Sequence, residues 1–137
     1  MTGNHLQVPY VSLPINVRSV AAARGLLHDT LHRHRTEASP TSDSVPAVAA
    51  DAVLMLSELV TNAVRHARAL LLLEISIRGT TLHVAVIDDA PRLSLPVHEE
   101  RKETGGRGLT IVDALADRWG STPGPGSKSV WFEISLP

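Results

Sequence analysis

The chain has 137 residues, 43% of them hydrophobic and 20% charged, a globular composition at the length of one domain and enough to bury a core. Its 13 Lys and Arg against 14 Asp and Glu leave a formal net charge of -1, without the basic excess that drives binding to phosphate backbones, so nucleic acid is set aside as a partner. Cysteine is absent, which excludes disulfides and thiolate metal sites. The N-terminal MTGNHLQVPY lacks the charged and apolar regions of a signal peptide, and no apolar run is expected to approach the ~20 residues of a membrane span. The expectation is a soluble, cytoplasmic protein with no membrane contact.

In chain order, QVPYVSLP at 7 to 14 reads as a short strand that its two prolines confine to a sheet edge. Asn16 caps a helix over 17 to 34, with Val17, Val20, Ala21, Ala23, Leu27 and Leu31 near helical spacing. The polar segment TEASPTSDS, 36 to 44, is a loop that ends in a Ser44 cap, and a second helix runs over 46 to 67 with Pro46 in its first turn. LLLLEISIRGTTLHVAVID alternates apolar and polar residues on both sides of Arg78-Gly79-Thr80, which predicts a hairpin. Residues 88 to 107, with two prolines and the charged run HEERKE, form a long loop, and loops of that length in a compact domain are usually functional. A third helix covers 108 to 117, with Leu109, Val112 and Leu115 or Ala116 inward. Strands at 118 to 122 and 129 to 136 follow, joined by a GPGSK turn. Strands and helices do not alternate strictly and no repeat or linker interrupts them. This predicts a single domain over residues 1–137, an α/β two-layer sandwich whose mixed, mostly antiparallel sheet is covered on one face by three helices.

On the second helix, Val48, Ala52, Val53, Leu56, Leu59, Val60 and Ala63 make a broad apolar face, and Asp51, Met55, Glu58, Asn62 and Arg65 a stripe along its edge. Glu58, Asn62 and His66 recur at four-residue intervals beside the core. Taken alone, the spacing fits a solvated helix edge. A carboxylate and an amide one turn apart also suit chemistry on a phosphate ester, since the first can orient or accept a proton and the second is a hard oxygen ligand for a magnesium ion that also holds phosphates. ETGGRGLTIVDALADRWG, 103 to 120, puts two adjacent glycines and a third at 108 before a helix, where free N–H groups and the helix dipole attract an anion. The run is not a dinucleotide fingerprint, because Ile111 stands where the third glycine would and a loop precedes it. Nor is it a P-loop, since no Gly-Lys-Ser or Gly-Lys-Thr follows. Asp88, at the end of an apolar strand, can accept from an exocyclic amine such as that of adenine, or simply begin a turn. His28 and His32, four apart in a basic HRHR context, lack a third metal ligand and read as a solvated helix face.

These stretches together carry a resemblance. SELVTNAVRHA resembles the N box, VIDDAP the first glycine box, GGRGL the second, and GSKSVWFEI the closing strand of the Bergerat-fold (GHKL) ATPases shared by gyrase, mismatch-repair proteins and histidine kinases. The short chain and the ELVTNAVRHA and GGRGLTIVDALADRWG wording are most similar to the small anti-sigma-factor serine/threonine kinases and ATP-binding regulators of actinomycetes. The resemblance covers nearly the whole chain and rests on four motifs in order. It implies Glu58 as general base, Asn62 as the amide that holds Mg2+, Asp88 as the adenine-reading carboxylate, and Gly105, Gly106, Arg107, Gly108 and Leu109 as the turn against the phosphates. It also places Ser129 near adenine and makes the loop from 89 to 104 a lid. The first glycine box departs from the family's Asp-x-Gly-x-Gly: Ala90 and Arg92 replace both glycines, with Pro91 between them, which predicts weakened or lost nucleotide affinity.

Two functions follow as expectations. One is an ATP- and Mg2+-dependent serine/threonine protein kinase, an anti-sigma regulatory factor acting on an anti-sigma-factor antagonist protein, with a sigma factor as its second partner. The other is a binding module that sequesters a sigma factor or another regulator with little or no use of nucleotide. The resemblance further implies a homodimer. A sensor histidine kinase is disfavoured, since that requires a separate phosphoacceptor hairpin and the first helix here belongs to the sandwich.

Overall fold

The computed structural model describes residues 5–38, 45–90 and 107–137. Within them the order is β1 (His5–Ser12), α1 (Arg18–Ala38), α2 (Val45–His66), β2 (Leu71–Arg78), β3 (Thr81–Asp88), α3 (Arg107–Leu115), β4 (Arg118–Gly124) and β5 (Ser127–Ser135). The five strands form one sheet in the order β1-β2-β3-β5-β4, antiparallel at each pairing, so the predicted α/β sandwich stands with no parallel pair among the described residues.

Period-two patterning builds the sheet. Leu71, Leu73, Ile75 and Ile77 of β2, Leu82, Val84 and Val86 of β3, and Val130, Phe132 and Ile134 of β5 are all buried on one face. Against that face lie Ala23, Leu27 and Leu31 of α1, Ala52, Met55, Leu56, Leu59, Val60 and Ala63 of α2, and Leu109 and Val112 of α3. The central helix α2 packs on both α1 and α3 and touches β3; α1 leans on β1 and β2, α3 on β4.

Local chemistry explains most boundaries. The Arg18 N–H donates to Asn16 Oδ1 at 2.8 Å, which makes Asn16 the predicted cap of α1. Gly79, at φ 64°, opens the two-residue turn between β2 and β3, the glycine position of a type II′ hairpin. Pro125-Gly126, with Gly126 at φ 76°, turns β4 into β5 as a type II turn requires. The edge strand β1 starts and ends two residues earlier than predicted and is irregular between Val8 and Val11, where Pro9 cannot donate to the ladder.

Three expectations are corrected. Val17 is 89% exposed, because it precedes the first turn of α1 and does not face the sheet. Met55 is fully buried and leaves the edge stripe of α2 for its core face. The segment Ala47–His66 of α2 is long and apolar enough, by length and composition, to cross a membrane, contrary to the expectation that no such run exists; in this fold its apolar side is spent on the sheet and the other two helices. The Ser44 cap and most of the 88-to-107 loop lie outside the described residues.

Candidate functional site

Of the three elements that sequence reasoning marked, α2 packs on both β3 and α3. α2 carries Glu58 and Asn62, both half-buried on its edge, while the flanking Leu56, Leu59, Val60 and Ala63 are buried beneath them. The last turn of α2 comes near the end of β3, where His66 lies close enough to Asp88 for its charge to favour the carboxylate. α3, which follows the glycine run, packs along α2 from the other side.

Asp88 closes β3. It is only 2% exposed, and its Oδ1 accepts from the Ala90 N–H at 2.8 Å, a local turn of the kind aspartates favour. Burial raises its pKa above the ordinary value of 3.8; the Ala90 hydrogen bond and the Lys128 and His66 charges oppose that rise without cancelling it. The carboxylate therefore sits on the helix side of the sheet, at the end of a row otherwise made of Leu82, Val84 and Val86.

The next residue, Asp89, has a role that sequence reasoning did not assign. Its carboxylate accepts from the backbone N–H of Arg68 at 2.8 Å and of Ala69 at 3.0 and 3.1 Å. These bonds hold its pKa below the ordinary value, the Arg68 contact contributing most. Asp89 thus pins the link between α2 and β2 to the end of β3. Its signal was a second aspartate where the family's box has any residue.

The closing strand also departs from expectation. Ser129 registers with Ile87, and Lys128 with Asp88. Residues paired across antiparallel strands share a face, so Ser129 lies on the open side of the sheet and is not brought together with Asp88. Lys128, 4% exposed, is level with Asp88 on the same face. Burial lowers its pKa, and the Asp88 charge partly restores it. The GPGSK reading assigned Lys128 to a turn; β5 in fact begins at Ser127, because Pro125-Gly126 alone makes the reversal.

At the phosphate end, Gly105 and Gly106 lie outside the described residues, and α3 begins at Arg107 and Gly108 as expected. Leu109 is 3% exposed and belongs to the core, so what it offers a ligand is the backbone N–H of a first helical turn. Among the described residues no three His, Asp or Glu side chains gather to hold a metal. A magnesium ion here would have to be carried chiefly by phosphate oxygens, with the Asn62 amide as a candidate hard ligand.

No curated protein matched the chain. Its fold is similar to that in the crystal structure of the RsbU and RsbW domains of Rv1364c from Mycobacterium tuberculosis, with a TM-score of 0.69 at 19% identity. The similarity covers 96% of this chain and 32% of that one, so this chain spans about a third of that protein's length, and at such identity the likeness is one of fold. A family model for the histidine kinase-like ATPase domain matches residues 13–134. Since that model matches most of its length, the chain belongs to the histidine kinase-like ATPase domain family.

Proposed function

We propose that the protein binds ATP between the α2 edge, the end of β3 and the start of α3, and uses it to phosphorylate a serine or threonine of an anti-sigma-factor antagonist, with a sigma factor as its other partner. The observation that carries this reading is the half-buried Glu58 and Asn62 on the edge of α2, together with a buried carboxylate at the end of β3. The family membership and the resemblance to small anti-sigma kinases support it. In phosphoryl transfer, positioning and charge neutralisation carry most of the catalysis. Asp88 takes the exocyclic amine of adenine, and the first-turn N–H groups of α3 face the phosphates. Asn62 holds Mg2+, which supplies positive charge against the phosphate oxygens when bound. Glu58 takes the proton of the attacking hydroxyl. We place the protein in the cytoplasm and expect it to work as a homodimer.

One observation favours the sequestering module. Asp88 already accepts from the Ala90 N–H and faces a buried Lys128, so the base must compete for it.

Glu58→Gln separates the two readings, because the amide keeps the shape of the side chain but cannot take a proton. The variant is expected to retain nucleotide and partner binding and to lose transfer by about 10²- to 10⁴-fold, read as phosphoserine or phosphothreonine by mass spectrometry with candidate antagonists. Equal sigma-factor binding by wild type and variant, with no transfer by either, replaces the kinase by sequestration alone.

A further inference from the structure

The face of the sheet away from the helices carries a polar cavity of about 480 Å³, a size that suits a small molecule. Strand register builds it. Ser76 lies across from His83, His83 from Glu133, and Glu133 from Arg118, so one row of side chains crosses four strands on this face. Arg78 and Thr81 form the neighbouring pair on the side of the β2–β3 turn, and Glu74 stands two residues from Ser76 on the other side.

His83 is held from two directions. Its Nδ1 lies 2.9 Å from Glu133 Oε2, and its ring stacks on Trp131 with centroids 5.7 Å apart. Glu133 also accepts from Arg118, and Trp131 lies on Gly120, where a Cβ would meet the indole at 3.0 Å. Partly exposed ion pairs add little stability and cost side-chain freedom, so the fold alone does not call for this arrangement. An ionised carboxylate can only accept, so Nδ1–H donates to Glu133 and the neutral ring keeps Nε2 as an acceptor beside the cavity.

The other groups around the cavity complete a pattern. Among the described residues, the Ser76, Arg78 and Thr81 side chains make no hydrogen bond or ion pair, and Glu74 has a 3.5 Å contact from Gln7. Arg78 offers a guanidinium fork, Ser76 and Thr81 offer hydroxyls, and His83 and Glu74 offer acceptors. Two arginines balance two glutamates in the lining, so with His83 neutral the cavity carries no net charge. That balance favours a molecule that bears both charges over a bare anion or a bare cation.

We propose that this cavity binds a small zwitterion of the α-amino-acid type, with its carboxylate on Arg78 and Thr81 and its ammonium between His83 Nε2 and Glu74. Guanidinium and carboxylate form the strong bidentate pair, and an ammonium has three donors to share between two acceptors. The site is separate from the proposed nucleotide site: Asp88 lies on the helix face of β3 and His83 on the opposite one, so the two ligands do not compete.

The test titrates ¹⁵N-labelled wild type with each of the common amino acids up to about 10 mM, a ceiling that reveals weak sites, and follows the backbone amides of Ser76, Arg78, Thr81 and His83. At least one amino acid is expected to shift these amides to saturation. Its amide derivative, which lacks the carboxylate, and its deaminated acid, which lacks the ammonium, should each bind about tenfold or more weakly. Arg78→Met should lower the affinity for the amino acid to that of the amide derivative in wild type. His83→Phe keeps a ring against Trp131 and removes Nε2, and should lower the affinity toward that of the deaminated acid. Absence of a saturating shift with every amino acid overturns the inference. So does equal binding of the deaminated acid, which marks a plain anion site, and so does unchanged affinity in Arg78→Met. Broadening of these amides with protein concentration in the absence of amino acid assigns the face to a second copy of the chain and overturns it as well. If near-ultraviolet circular dichroism shows that His83→Phe does not fold, Arg78→Met, at an exposed residue, and the analogue series on wild type decide.

Discussion

The strand pair β3–β5 carries charged clusters on both of its faces. On the open face Glu133 accepts from Arg118 and lies 2.9 Å from His83 Nδ1, with side-chain exposures of 19% for Glu133, 29% for His83 and 70% for Arg118. On the helix face Asp88 and Lys128 are paired and almost fully enclosed. The chemistry is the same and the outcome opposite. Burial raises the pKa of both carboxyls, but at Glu133 the hydrogen bonds and charges of Arg118 and His83 together outweigh it, whereas at Asp88 burial prevails. At the tethered, partly wet carboxyl the partners outweigh burial; at the enclosed one burial outweighs the partners.

The largest effect that would break this contrast comes from removing the cation on each face. Lys128→Ala removes a buried cation whose charge favours the Asp88 carboxylate and is expected to cost about 3 kcal/mol at neutral pH, the low end of the cost of removing one charge of a buried pair. Arg118→Ala removes an exposed partner and should cost less than about 1 kcal/mol. Urea denaturation of both variants measures the difference. Similar losses would mean that the Lys128 ammonium reaches water in solution.

A sharper form of the comparison is the pH dependence of stability, taken against Asp88→Asn and Glu133→Gln as references. The folded pKa of Asp88 is raised, so its contribution is fully present below the ordinary value of 3.8 and is lost as pH rises through the folded value. The folded pKa of Glu133 is lowered, so its contribution is present above the ordinary value of 4.5 and is lost as pH falls through the folded value. Wild type should therefore lose ground to Asp88→Asn as pH rises through the acid range, and lose ground to Glu133→Gln as pH falls. Slopes of the same sign would refute the assignment.

The smallest effect concerns Asp89, whose partners are backbone groups and not a buried charge. Asp89→Ala should leave the core intact while amide exchange at Arg68 and Ala69 accelerates, because both N–H groups lose their acceptor. Unchanged exchange at these two amides would show that the α2–β2 link is held by something else.

Much of this was legible without coordinates. Period-two runs gave β2, β3 and β5, and 3.6-residue spacing gave the inner faces of α1 and α2, because burial of one face is what such patterns encode. Asn16 as a cap and Gly79 as a turn residue followed from local chemistry. Glu58, Asn62 and Asp88 stood out because their residue types break an apolar context. What eluded the reading depended on register: a turn drawn too long at its downstream end moved Lys128 out of β5, and a one-residue error in a strand transfers a side chain to the other face.

By itself, then, the sequence determined the elements, the sandwich and the edge of α2 that carries the polar residues, since each is a matter of periodicity, capping or turn preference within a short window. Only the tertiary structure decided that Met55 belongs to the core, that Asp89 clamps the link after α2, and that Lys128 rather than Ser129 stands beside Asp88. Those outcomes join residues distant in the chain, and they are settled by strand register and helix packing, which no local pattern specifies.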